Sequence, residues 1–149
     1  MRSGRSVVAM KCLSRLSIVL VLAACAVAPK RDEGLGGPWT LRIRTVDHRE
    51  VSVATIRFAG DAAPSCMGGS WKRVIVESIG ATDDRDCPLS DPLSYAVEGS
   101  KIVIARNEVC DGYLRLHGRL EGGKARGPYE ALGKGGGEVL GEFTLDRMP

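Results

Sequence analysis

The residues able to do chemistry are few, and their spacing decides what they can do. His48 and His117 are the only histidines, and a general base must lie within hydrogen-bond reach of its nucleophile. His48 falls in the turn-like run Asp47-His48-Arg49-Glu50, whereas His117 closes an apolar-alternating segment, so the two are expected at opposite rims, which argues against a hydrolytic constellation. Gly127 to Gly135, Gly-Pro-Tyr-Glu-Ala-Leu-Gly-Lys-Gly, has the glycines and lysine of a phosphate loop. However, five residues instead of four separate its glycines, and Gly135 stands where Ser or Thr is needed. Asp83-Asp84-Arg85-Asp86, with Asp91 beyond, offers carboxylate oxygens of the kind that hold calcium, but without a calcium loop's glycine-spaced ligands. Cys66, Cys87 and Cys110 contain no CxxC pair, which speaks against zinc. No metal, cofactor or catalytic residue is expected.

The remaining reactive position is Cys25. Leu16 to Ala24 is an uncharged apolar run preceded by Arg2, Arg5, Lys11 and Arg15, the arrangement of a secretory signal. It is far shorter than the roughly 20 residues a transmembrane helix needs. Leu22-Ala23-Ala24-Cys25 resembles the lipobox of bacterial lipoproteins. The resemblance implies removal of residues 1–24, acylation of Cys25 and anchoring through its acyl chains, for which two or more chains suffice. Ala26, where an aspartate favours retention at the inner membrane in many such proteins, implies the outer membrane, with the domain facing the periplasm or the surface. The start at Met1 is open too, because Met10-Lys11-Cys12 would itself begin a compact signal.

Cleavage changes the charge. The full chain has 21 Lys and Arg against 18 Asp and Glu, a formal +3. All four signal-segment cations lie before Cys25 and every acid after it, so the mature chain has 17 against 18, a net −1. The basic surplus that nucleic-acid binding normally uses disappears with the signal, so no nucleic-acid partner is expected.

Positioning falls to a β-rich remainder. Residues 25–38 mix Pro, Gly and charge and are read as a lipid-anchored linker, with a single domain over 39–149. Trp39, Leu41 and Ile43 alternate with Thr40, Arg42 and Arg44, as in a half-buried strand. Similar strands are expected at Val51 to Phe58, with a bulge near Thr55, and at Trp71 to Ser78, where Val74-Ile75-Val76 suggests burial on both faces. Leu93 to Val97 and Lys101 to Ala105 form a hairpin, followed by Gly112 to Leu120, Ala125 to Leu132 and Glu138 to Leu145. In the last of these, Val139, Phe143 and Leu145 should face one way. Pro128 belongs at an edge or a bulge. About eight antiparallel strands in sequence order fit an all-β up-and-down meander closed into a small barrel, the alternative being a β-sandwich. Gly37-Pro38-Trp39 at the first strand resembles the Gly-x-Trp of lipocalins, although no helix pattern follows the last strand. Trp39 is expected as a core plug, not a ligand platform.

Strand parity in the meander then assigns the loops. Connections after the first, third, fifth and seventh strands share the end away from the linker. This end should hold Cys87 and Cys110, which are expected to pair, and leave Cys66 over. It should also hold the carboxylates Asp83, Asp84, Asp86, Asp91 and Asp111 as an acidic rim suited to a basic partner. The reading is a lipid-anchored, non-enzymatic binding module presenting rim loops to a basic envelope protein or a small ligand. A structural or assembly lipoprotein, or an inhibitor of a lytic enzyme, is the alternative. Lipid-anchored lysozyme inhibitors carry Ser-Gly-x-x-Tyr; the nearest match, Arg126-Gly127-Pro128-Tyr129, differs at its first residue and is one residue short.

Overall fold

The computed structural model describes residues 34–82, 89, 92–106, 113–133 and 135–149. Eight strands follow in chain order: β1 (Pro38–Thr45), β2 (Glu50–Ala62), β3 (Lys72–Thr82), β4 (Leu93–Glu98), β5 (Lys101–Arg106), β6 (Tyr113–Glu121), β7 (Lys124–Gly133) and β8 (Gly136–Arg147). Each pairs antiparallel with its neighbour in sequence, and β8 returns to β1, closing the barrel. Closure removes the exposed edges that a sandwich would have to protect.

The alternation in β1 becomes the inside and outside of the wall. Trp39, Leu41 and Ile43 are fully buried and stand opposite Ile56, Ala54 and Ser52 of β2. The expected bulge near Thr55 is present as a register shift between Thr55 and Ile56 on the β3 side. Trp39, Tyr129 and Phe143 are the largest wholly buried side chains, so Trp39 does plug the core. Phe58 links two of the aromatics, meeting Trp39 edge-on at 5.7 Å and Tyr95 at 4.8 Å between ring centroids. Such pairs add about 0.5–1.5 kcal/mol beyond area burial.

The core also takes in Leu35, which is buried and whose carbonyl accepts the Trp39 indole N–H at 3.2 Å. The packed part of the chain therefore reaches at least four residues ahead of Trp39.

Glycine and proline shape the β6–β7–β8 wall. The β6–β7 pairing passes from Leu116↔Tyr129 directly to Arg119↔Arg126, skipping the stretch that contains Pro128, which has no N–H to offer a ladder. In a closed barrel the proline thus sits at an interruption, not at an edge. At Gly127 a Cβ would lie 2.0 Å from the His117 carbonyl oxygen, so the two backbones can approach only because no side chain intervenes. Gly141 does the same at the closure, where a Cβ would fall 1.8 Å from the Arg44 carbonyl oxygen.

Two burial expectations are corrected. Ile75 is 42 % exposed, because β3 is covered on one face only and Ile75 points outward between Val74 and Val76. Val139 is 55 % exposed although it shares strand parity with Phe143 and Leu145. A register shift between Tyr129 and Glu130 breaks the β7–β8 ladder beside it, and the preceding residues from Gly136 are exposed as well.

Candidate functional site

Cys25, Cys87, Cys110, Asp83, Asp84, Asp86, Asp91 and Asp111 all lie outside the described residues. Cys66 is disulfide-bonded, so it is not the thiol left over. Parity set Cys66 apart by taking every strand to run the full height of the barrel, and the β3–β4 register departs from that. Only Lys72↔Tyr95, Arg73↔Ser94 and Val74↔Leu93 pair, so β4 begins opposite Val74 while β3 continues to Thr82. The two described ends of that connection are therefore displaced along the strand by roughly 25 Å at ~3.3 Å per residue. Assigning the whole connection to one rim assumed strands of equal length, which β3 and β4 are not.

The expectation of histidines at opposite rims does not hold: His48 is in the β1–β2 turn, but His117 is the central residue of β6, because that strand runs on to Glu121. His48 occupies the β1–β2 turn with a left-handed φ of 64°, 3.9 Å from the exposed Glu142 carboxylate. His117 lies on the outer face of β6, its Nε2 3.2 Å from Glu130 Oε1. Arg115, opposite Glu130 across the β6–β7 ladder, donates to Glu130 Oε2 from Nε at 3.1 Å and from Nη2 at 2.7 Å. The Arg115 hydrogen bonds hold the Glu130 carboxyl below its ordinary value against partial burial, with His117 adding to the effect. No nucleophile adjoins this trio among its described contacts, and it braces the outer wall. No group of three or more His, Cys, Asp or Glu able to hold a metal occurs among the described residues.

Among the described residues the core is closely filled. The apolar void lined by Leu89, Leu93, Ile104 and Leu116 is only about 10 Å³, whereas small-molecule sites run to several hundred Å³. The larger hollows are open clefts. One of about 230 Å³ lies between Ala63-Pro64 and the start of the β3–β4 pairing. The other, about 560 Å³, lies along β6–β8 and is lined by Arg119, Glu121, Lys124, Ala125, Arg126, Thr144 and Asp146.

The second cleft belongs to a charge pattern that strand-by-strand reading missed. Lys101 of β5 pairs with Arg119 of β6, which pairs with Arg126 of β7, placing three exposed cations side by side on one rung of the outer wall. Like charges directly opposite on a sheet are unfavourable. The acids nearby offset them weakly: Arg119 Nε is 3.7 Å from Glu121 and Lys124 Nζ is 3.5 Å from Asp146, all well exposed except Asp146, which is half-buried. Arg126 has no ion-pair partner among the described residues.

The rung lies at the end where β1 begins. That end also carries Lys72, Arg73, Lys124 and Arg147, making seven cations against Asp61, Glu98, Glu121 and Asp146, a side-chain charge of +3. The opposite end has Arg44, Arg49 and Arg106 against Asp47, Glu50, Glu138 and Glu142, a side-chain charge of −1 among the described residues. The signal was available in the sequence only to a reader who already held the register.

No known protein family, curated protein or solved structure matches the chain.

Proposed function

We propose that this chain is a lipid-anchored, non-enzymatic binding module of the bacterial cell envelope that meets its partner with the outer wall and loops of the barrel and not with its interior. The observation that carries this is the filled core: Trp39, Tyr129 and Phe143 are sealed among aliphatic side chains, and the two larger hollows seen among the described residues are open clefts on the surface. A barrel so packed has its recognition surface outside, which favours a macromolecular partner over a small ligand. The anchor rests on Leu22-Ala23-Ala24-Cys25 after a basic and apolar leader, and Ala26 supports the outer membrane. The acidic loop residues Asp83, Asp84, Asp86, Asp91 and Asp111 are retained as the candidate surface for a basic partner.

Native mass spectrometry of protein purified from its own membrane tests the reading. The expected mass is that of the mature polypeptide plus acyl groups. A stoichiometric additional small molecule released only on unfolding would refute the exterior-binding assignment. Replacing Asp83, Asp84 and Asp86 together by Asn should leave the melting temperature unchanged and reduce partner capture; unchanged capture removes those residues from the surface.

A further inference from the structure

We infer that the tether end of the barrel is an electrostatic footing for anionic lipid headgroups, with the Lys101–Arg119–Arg126 rung as its centre. The inference deepens the anchored-module reading and rests on it for where the membrane lies, but the surface itself is argued from the fold.

The folded chain begins at one end of the barrel. Leu35 is packed into the core at that end, and Met148 N–H donates to the Pro38 carbonyl while Arg147 N–H donates to that of Gly123. The segment leading back to Cys25 therefore departs from the same end as the turn between β6 and β7. Ten Cα steps lead from Cys25 to Leu35, a reach of at most ~35 Å. A barrel held on so short a lead by acyl chains at Cys25 can bring this end against the bilayer surface.

That end is the positive one, and its cations are arranged at a cost. Lys101, Arg119 and Arg126 stand on adjacent strands about 4.8 Å apart, directly opposite one another. The one acid on the same rung, Glu98 of β4, stands opposite Lys101 at its outer end and leaves Arg119 and Arg126 facing each other, an unfavourable pairing of like charges. Here the row borders a wide open cleft, not an enclosed pocket, so it suits an extended array of anions better than one small anion. Anionic lipids form such an array, and their surface attracts nearby Lys and Arg within about a Debye length. The opposite charge of the far end adds direction: the same field that draws the tether end down repels the end carrying Asp47, Glu50, Glu138 and Glu142. The module would stand on the membrane with its acidic end outward.

The test is vesicle co-sedimentation of the full chain carrying Cys25→Ser, so that acylation plays no part. Phosphatidylcholine vesicles with and without 30 % phosphatidylglycerol serve as the two surfaces, at roughly 0.05 M and 0.5 M salt. The chain carrying the triple change Lys101→Gln, Arg119→Gln and Arg126→Gln retains the same leader segment, so the difference between the chains reports the barrel alone. Near 1 kcal/mol per cation, the three should contribute on the order of 100-fold in affinity for the anionic vesicles at low salt, a difference that shrinks at high salt and is absent on phosphatidylcholine. A control with Arg44→Gln and Arg49→Gln at the far end should retain wild-type binding. Equal binding by the triple variant and wild type overturns the inference. So does an equal loss in the far-end control, or capture by a soluble anionic polysaccharide with no preference for anionic vesicles. Circular dichroism confirms that each variant is folded. Whether Cys25 is acylated in cells is read separately by mass spectrometry, so the footing can fail with the anchor intact, and the anchor can fail with the footing intact.

Discussion

Barrel closure depends on Gly141, and Gly141→Ala should be the most damaging single-methyl change in β8. The residue pairs with Thr45 across the β1–β8 seam and is buried. A Cβ there would lie 1.8 Å from the Arg44 carbonyl oxygen, 2.8 Å from its carbonyl carbon and 2.8 Å from Thr45 Cα. All three are backbone atoms, so no side chain can rotate away. Reaching an ordinary contact of at least ~3.2 Å requires the strands to separate locally by more than 1 Å, which would stretch the two or three ladder bonds nearest the site beyond useful length. At about 0.5–1.5 kcal/mol per bond, together with the strain of overpacking, the loss should be about 2–4 kcal/mol. Gly133→Ala is the internal control: nothing lies within 4 Å of a Cβ there and its φ is not positive. That change should be neutral or stabilising by a few tenths of a kcal/mol up to about 1. Urea unfolding followed by tryptophan fluorescence reads both, since Trp39 is wholly buried. A Gly141→Ala midpoint within error of the wild type would show that the β1–β8 approach is not as close as described and would refute the argument.

Relief of the cationic rung should be visible in stability as well as binding. Arg126→Gln is expected to raise the unfolding midpoint by the equivalent of about 0.2–1 kcal/mol at low salt, with the gain fading at high salt; a loss of stability would mean that Arg126 packs rather than repels. Glu130→Gln should destabilise by about 1–2 kcal/mol near neutral pH, because it leaves the half-buried Arg115 without its carboxylate. Since folding lowers the Glu130 pKa, its contribution is present above the unfolded carboxylate value and is lost as pH falls through the depressed folded value. Stability of the wild type, but not of Glu130→Gln, should therefore carry this acid-side decline in a pH series. Cys25→Ala should abolish incorporation of a palmitate analogue and strand an uncleaved precursor; wild-type protein that takes up no label would dismiss the anchor. In acylated protein Cys66 must pair with Cys87 or Cys110, which rules out a Cys87–Cys110 bond, and non-reducing peptide mapping should find a Cys66 bridge.

Local chemistry made much of the barrel legible in advance. Period-two alternation at Trp39 to Arg44, the parity switch near Thr55 and the Glu98-Gly99-Ser100 turn depend on neighbours along the chain, and they led to eight antiparallel strands in order. Distances across the sheet were not legible. The pairings that oppose Lys101 to Arg119 and Arg119 to Arg126 depend on register, as does the start of β4 opposite Val74 while β3 runs on to Thr82. Register is a sum over many weak cross-strand contacts, and a slip of one residue reverses every side chain. Composition places the surplus of positive charge before Cys25, and the residues from Cys25 onward sum to a net −1. Only the folded wall decided that the remaining charge separates by ends, positive where the chain enters and negative where it turns back, because strands that alternate in direction bring residues distant in sequence to the same level of the barrel.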